Sequence, residues 1–575
     1  MGVVLRGVLL ALAVLAAAAP GAAAQTPRPN VLILETDDQT VESMRVMANV
    51  QRLLGAEGTT FANSFVANSL CCPSRSTLLT GQYSHNNGVF SNQFPTGGYY
   101  KLDSSNTLAV WLQRAGYHTA LVGKYLNQYG TRNANEVPPG WSEWHGTVDP
   151  STYRFYRTTF NDNGVLSTTG TDPSQYLTDV VAGRAEEMVR RLAAAPEPFF
   201  MWTTFLAPHA GGPREPDDPR NLGTPNVAPR HRNRFAGEPL PTPPSFNEGD
   251  MSDKPLSMRR RAPLSNARIN AIRENYRQRL ESLLAVDEAV ARIVEALRQS
   301  GELERTLIVF TDDNGFFHGE HRVANGKVLL YEPSIRVPLI LRGPGVPRGQ
   351  TRSALVANVD LAPTILAATG ARASRAVDGR SLLPLAVDRG IEYGRDILIE
   401  RTPSNDAAQN FTAIRSPHFL YAEYGNGDRE LYDLRRDPFE LRSLHADPAY
   451  AAIRLALARR LAALRTCTGR RCSAGPRVLI GFRFRDGQPG PGRCVAGSLR
   501  ANLAASGAAR ATSALFYVDG RFAGRDTRRP FIRTISRAAL RPGAASALRT
   551  IRARVTLGDD RAVTVERRVR VCGTA

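Results

Sequence analysis

Beyond its first two dozen residues the sequence holds no apolar run long enough to span a bilayer, which excludes a later membrane-spanning helix. Cysteine is scarce and unevenly placed. Of six, Cys71 and Cys72 are adjacent, while Cys467, Cys472, Cys494 and Cys572 all lie near the C-terminal end. None follows the N-terminal apolar run where a lipid tether would need it. Apart from His318 and His321, histidine is missing near the acidic pairs Asp37-Asp38 and Asp312-Asp313, so a histidine-rich zinc centre is not expected there. Nucleic-acid motifs are missing too, and the arginines are scattered among predicted strands without an aromatic stacking platform, so nucleic acid is not an expected partner. Lysine vanishes from the last segment: from Cys467 onward there are 22 Arg, no Lys and 6 acids, which places +16 of the net +20 there. A cationic tail attracts acidic polymers or an anionic envelope over long range. The alternative is a solvated, arginine-rich β-surface.

The first residues carry Arg6, an apolar run over 8–19 and the small residues Ala22-Ala23-Ala24. This pattern predicts a signal peptide over 1–24, cleaved before Gln25, and a secreted, extracellular protein. Export permits disulfides, and of the three pairings open to the late cysteines, Cys467–Cys472 and Cys494–Cys572 are favoured. With 575 residues, 42% of them apolar and 22% charged, the chain suits two or three folded domains. From Asn30 to about Leu444, strand-like runs alternate with helical stretches, the pattern of an α/β sheet with helices on both faces. Val31-Leu32-Ile33-Leu34 and Leu307-Ile308-Val309-Phe310 read as strands buried on both faces, and 267–299 reads as a long helix ended by Gly301. Residues 208–265 are irregular, the pattern of an insertion that shapes a binding site or of a solvated excursion with no role. A catalytic α/β domain is expected over 25–360 and a smaller α+β subdomain over 361–466. Short alternating strands from about Pro476, punctuated by Asp519-Gly520 and Gly558-Asp559, predict an immunoglobulin-like β-sandwich within 467–575.

Two pairs of oxygen-bearing side chains stand directly after the two buried strands: Asp37-Asp38 and Asp313-Asn314. Ligands gather at the carboxyl ends of strands in an open α/β sheet, so the pairs can converge. Three carboxylates and an amide oxygen form a hard, all-oxygen set that suits calcium over zinc.

The run Cys71-Cys72-Pro73-Ser74-Arg75-Ser76-Thr77-Leu78-Leu79-Thr80-Gly81 fits C-x-P-S-R-x-x-x-x-T-G at six fixed positions. It resembles the signature of the type I sulfatases, in which the first cysteine becomes formylglycine. A hydrated aldehyde offers one hydroxyl to attack sulfur and keeps a second whose proton loss expels sulfate, which a serine ester has no means to do. The resemblance covers roughly residues 28–445 and implies an alkaline-phosphatase-like mixed sheet sandwiched by helices, followed by the α+β subdomain. It implies one calcium ion on Asp37, Asp38, Asp313, Asn314 and the modified Cys71. Arg75 would hold formylglycine or sulfate oxygens, Lys124 and Lys327 would bind sulfate oxygens, and His209 would protonate the leaving alcohol. A formylglycine-generating enzyme is then a partner during maturation. Many members of the family carry histidine two residues after the first lysine, but Leu126 stands here, followed by Asn127. Gly123-Lys124-Tyr125-Leu126-Asn127 resembles the branch acting on 6-sulfated N-acetylglucosamine, with a sulfated carbohydrate or an aryl sulfate as substrate. The missing histidine leaves the base for sulfate release to other groups, with His318 or His321 as candidates. The alternatives are a phosphate or phosphonate monoester hydrolase of the same superfamily and a non-catalytic envelope or glycan-binding protein.

Overall fold

Val31 and Ile33 point to one face of the strand Asn30–Thr36, Leu32 and Leu34 to the other, and all four are fully buried. Alternation along a strand thus feeds two cores, one on each side of a sheet. The computed structural model describes residues 28–573 apart from 402, 476–477, 485–493, 506–510, 529, 544, 546 and 559–560. The signal peptide expected over 1–24 lies outside the described residues.

Ten strands form the main sheet. Its parallel centre runs Thr306–Asp312, Asn30–Thr36, Phe199–Thr204, His118–Gly123, Glu143–Thr147. Antiparallel neighbours flank it, Leu339–Arg342 on one side and Thr159–Asp162 on the other, making the sheet mixed. One core packs Val31, Ile33, Trp202 and Val309 against Leu78 and Leu79 of the helix Cys71–Thr80 and Ile365 of the helix Leu361–Thr369. The other packs Leu32, Leu34 and Phe310 against the helices Leu177–Leu192 and Asn266–Gln299. The long helix follows its expected stripe, with Leu280, Leu283, Val290, Ile293 and Leu297 buried, and Gly301 follows its cap with a φ of 76°.

A four-stranded antiparallel sheet, Ile397–Glu400, Phe411–Arg415, Phe419–Tyr424 and Arg429–Asp433, packs with the helix Ala451–Leu464 around a core it shares with Phe65, Tyr83, Phe317 and Tyr331 of the preceding unit. The disulfide Cys467–Cys472 belongs to that core. Beyond it, sheets of three and four strands enclose another core, as in a sandwich, and Cys494–Cys572 staples it. The Asp519-Gly520 turn joins Ala511–Val518 to Arg521–Asp526, and both turn residues have positive φ, as a tight hairpin requires. The sandwich docks on the segment around 388–396. Arg552 pairs with Asp388, Arg554 with Glu392 at 3.0 Å, and Thr564 Oγ1 donates to Gly390 O at 2.7 Å. Part of the basic charge is therefore spent inside the molecule. No helix among the described residues is long and apolar enough to cross a membrane.

Candidate active site

In-register pairing of Asn30–Thr36 with Thr306–Asp312 sets Thr36 beside Asp312, so both acidic pairs emerge together. Asp38 N donates to Asp313 Oδ1 at 3.3 Å, and Asn314 Nδ2 donates to Asp38 Oδ1 at 2.6 Å. Asp312 turns away and braces the loops, accepting from Gln39 N at 2.8 Å and Asn314 N at 3.1 Å. The approach is tight: a Cβ on Gly315 would stand 2.1 Å from Pro333 O. Asp38 itself holds a left-handed φ of 71°, a strained state for a residue other than glycine.

Cys71 opens the helix Cys71–Thr80, whose free N–H groups and dipole favour an anion at that end. Its Sγ accepts from Lys327 Nζ at 3.0 Å and lies 3.7 Å from Asp37 Oδ1. Burial pushes the thiol up to about 12 against the opposing pull of Lys124 and Lys327. Unmodified Cys71 is therefore a protonated thiol at neutral pH and a poor nucleophile.

Arg75, one turn further, is fully buried behind the carboxylates. Its Nε donates to Asp313 Oδ2 at 2.7 Å and its Nη1 to Lys124 O at 3.1 Å. Lys124 follows the strand His118–Gly123, pairs with Asp37 and sits 5.0 Å over the ring of Tyr153. Gly123 permits this turn, because a Cβ there would meet Thr204 O at 1.9 Å. Lys327 pairs with Asp38. Burial alone would raise Asp37, but Lys124, His209, Arg75 and Lys327 outweigh it and hold its carboxyl below the usual range.

His209 Nδ1 lies 2.7 Å from Ala210 O, and a carbonyl only accepts, so Nδ1 carries a proton. Nε2 is left to face the pocket, 3.8 Å from Asp38 Oδ2. Asp37, Asp38, Cys71 and His209 each bring one ligand-type atom within 4.8 Å of the others. Asn314 Oδ1 is a buried acceptor with no hydrogen-bond partner. An orphaned oxygen among three carboxylates fits a bound metal ion. His85 also approaches Cys467 and Cys472, but the disulfide occupies both sulfurs.

His318 and His321 do not join the pocket. They line a separate cavity of about 590 Å³ with Tyr276, Phe316 and Pro243, and His321 Nδ1 is held by Glu248 at 2.6 Å. Neither stands in the role of a base beside Cys71. Leu126 is buried in the apolar core, while Asn127 Nδ2 donates to Tyr153 Oη. Of the irregular stretch 208–265, its start supplies His209, while Pro241, Pro243 and Ser245 wall the separate cavity.

Two residues at this site carry no sequence motif. Tyr153 stands between Lys124 and the His209 ring, 5.0 Å from each. Arg279, on the long helix, donates through Nη1 to Pro208 O at 2.9 Å and through Nη2 to Asp38 O, and lies 3.8 Å over the Phe316 ring. Its only trace in the sequence is a charge inside an apolar stripe, between Tyr276 and Leu283.

A buried nucleophile position at a helix N-terminus, flanked by two lysines and a carboxylate cluster, defines an enzyme that handles an anionic ester. A profile of the sulfatase family matches residues 29–371, and one described as N-sulphoglucosamine sulphohydrolase, C-terminal, matches 319–467. The chain is 33% identical over 523 residues to an arylsulfatase of Volvox carteri, covering 83% of this chain and 80% of that one. It is 33% identical over 511 residues to an N-acetylglucosamine-6-sulfatase of Homo sapiens, covering 81% and 89%. A solved structure of a protein with its substrate D-glucosamine-2-N,6-O-disulfate is similar at a TM-score of 0.63 and 26% identity, over 76% of this chain and 97% of that one. The chain belongs to the sulfatase family. It has the alkaline-phosphatase-like fold and is a sulfuric ester hydrolase.

Proposed function

We propose that the chain cleaves O-sulfate esters on a carbohydrate of the N-acetylglucosamine-6-sulfate type, with aryl sulfates as artificial substrates, through a formylglycine made from Cys71. The observation that carries this reading is the meeting of Cys71, Asp37, Asp38 and His209 within 4.8 Å, with two lysines between them. Formylglycine supplies a hydrated aldehyde, one hydroxyl to attack sulfur and one to release sulfate. Lys124 and Lys327, drawn to Asp37 and Asp38, hold the sulfate oxygens together with the N–H groups of the helix that Cys71 opens. Arg75 fixes Asp313 from behind. His209 keeps Nε2 turned toward the leaving oxygen and, as the imidazolium with Nδ1–H held on Ala210 O, gives that oxygen its Nε2 proton and returns to the neutral ring. Asp37, Asp38, Asp313, Asn314 and residue 71 hold one calcium ion, which supplies positive charge to the attacked ester.

Support for the sugar comes from the Gly123-Lys124-Tyr125-Leu126-Asn127 run and from relatives that act on 6-sulfated glucosamine derivatives. Cys71 is 1% exposed once folded, so a formylglycine-generating enzyme has to act before the chain closes over it. Export with removal of residues 1–24 places that maturation on the secretory route, and the domain limits 25–360, 361–466 and 467–575 complete the reading. The basic C-terminal domain holds an anionic polymer.

Mass spectrometry of the tryptic peptide 53–75 from secreted material tests the reading. Residue 71 is expected as formylglycine; an intact thiol or disulfide in active protein overturns it. Aryl sulfate and aryl phosphate assayed side by side separate it from a phosphate ester hydrolase, which would prefer the phosphate.

A further inference from the structure

The sequence shows no aromatic platform in the basic tail, yet the fold builds one. Across the Asp519-Gly520 hairpin, Tyr517 pairs with Phe522 on the same face, their ring centroids 5.8 Å apart in an edge-on arrangement. Phe522 is 63% exposed, and Leu548 on the same sheet is 56% exposed. Alternation assigns the faces of this four-stranded sheet. Phe516, Ala553 and Val555 point inward to the sandwich core, while Leu515, Tyr517, Arg552 and Arg554 point outward. Arg525 pairs with Leu515, Arg568 with Thr550 and Arg570 with Leu548, so these arginines join the outward face and all three are exposed. Among the described residues Glu566 is the only acid that the register places on this face, and Arg552 neutralises it at 2.5 Å. The middle of the face is docked on the catalytic unit through Arg552, Arg554 and Thr564. Among the described residues its two flanks remain open, one carrying Tyr517, Phe522 and Arg525, the other Leu548, Arg568 and Arg570.

We infer that the two open flanks of this outward face are contact sites for one anionic polysaccharide, with Phe522 and Tyr517 as the platform for a sugar ring and Arg525 as its clamp on one flank, and Arg568 and Arg570 as clamps for further sulfate or carboxylate groups on the other. The fit is chemical. A pyranose presents one face of C–H groups to an exposed aromatic ring and carries its anions at the rim, where the planar fork of arginine matches them in pairs. Two adjacent rings and an exposed leucine on one charged face make a patch of the kind that marks an interaction site rather than a single stray apolar residue. The +16 of the segment from Cys467 supplies the complementary field that draws such a polymer in. The inference rests on the carbohydrate sulfatase reading for its choice of polymer. The face would hold the sulfated chain whose esters the catalytic pocket cleaves.

The test uses the full-length secreted enzyme and measures binding to fluorescent heparin, to an uncharged dextran, and to duplex DNA, over a salt series. Heparin is expected to bind and dextran not to. Phe522→Ala, which leaves net charge unchanged, should weaken heparin binding roughly tenfold, the scale of one lost ring stack. Arg568→Ser with Arg570→Ser should weaken it and also flatten its salt dependence. All variants should retain wild-type turnover of a small aryl sulfate and a wild-type melting temperature, which separates lost binding from lost folding. Heparin affinity unchanged in Phe522→Ala, or DNA bound as tightly as heparin, would overturn the site and leave only unspecific cationic attraction. If wild type turns over no sulfate ester at all, the catalytic reading fails instead, and the heparin result stands by itself. Binding of an anionic wall polymer in preference to heparin would overturn the sulfated chain as the occupant.

Discussion

At Asp38 several demands meet: a left-handed φ of 71°, an ion pair with Lys327, an amide from Asn314, and the Arg279 guanidinium on the carbonyl. Such a backbone state persists only where its surroundings over-determine it. Burial pushes Arg279 down to about 10, against Asp38, Asp312 and Asp37, so it remains a cation at neutral pH. Arg279→Met would leave the Asp38 and Pro208 carbonyls buried without donors, at about 1–3 kcal/mol each. Because those carbonyls fix the acidic loop and the His209 loop, kcat on an aryl sulfate should fall roughly 10–100-fold, the range seen for outer partners of metal ligands. KM should change little and Arg279→Lys should recover part of the loss; wild-type kcat in a folded Arg279→Met would end this role. Asn314 Oδ1 makes a second case. Calcium at about a hundredfold excess over its Kd should stabilise chelated enzyme by about 2.7 kcal/mol, read as a rise in melting temperature. Asn314→Ala should shrink that gain, and a melting temperature indifferent to calcium would remove the ion from the account.

The helix Cys71–Thr80 is buried at all ten positions. No amphipathic stripe betrays its place, and its motif alone made it legible. The chemistry needs Cys71, Pro73, Ser74 and Arg75 side by side, so it is written locally. Strands such as Asn30–Thr36 and Thr306–Asp312 were equally readable, since burial on both faces demands an unbroken apolar run. Arg279 and Tyr153 were not, because each acts through a tertiary approach that no spacing records. The short outer strand Arg521–Asp526 also escaped notice, for its exposed Arg521, Phe522 and Arg525 lack the alternation of a half-buried strand. The next helix, Ser84–Asn87, carries a pH-sensitive tie. His85 Nδ1 lies 2.8 Å from Glu400 and Nε2 2.9 Å from Cys467 O, so both nitrogens face acceptors. Burial would lower its pKa, but Glu400, the Cys467 carbonyl and Asp378 outweigh it and raise the group above 6.5. A raised folded-state pKa gives stability that is complete below the unfolded value and lost as pH rises through the folded one. The melting temperature should therefore lose this contribution on the alkaline side of 6.5, and His85→Gln should flatten that slope. An unchanged slope in the variant would place the pH dependence elsewhere.

Across the whole molecule, the C-terminal sandwich has its own core and its own staple, and the pocket draws every residue from Asp37 to Lys327. What joins the two is a seam of arginines on acids: Arg552 to Asp388, Arg554 to Glu392, and Arg561 to Asp396 at 3.5 Å. The Arg552 and Arg554 pairs are partly exposed, contribute little each and are screened by salt, while the buried Arg561–Asp396 pair is screened less. The segment 388–396 nevertheless carries Arg395, whose pair with Asp360 is buried beside the start of Leu361–Thr369, a helix of the core beneath Cys71. Cys467–Cys472 lies on the catalytic side of the cut and keeps its subdomain closed. Ending the chain after Gly475 should thus preserve kcat/KM on a small aryl sulfate to within about twofold, as expected of domains with separate cores. The melting temperature should drop as the seam is lost, and added salt should narrow the gap between the full chain and the truncation. A folded truncation without activity would mean that the Arg552, Arg554 and Arg561 seam holds Arg395 and Asp360 in place, making the sandwich a structural part of the catalytic unit.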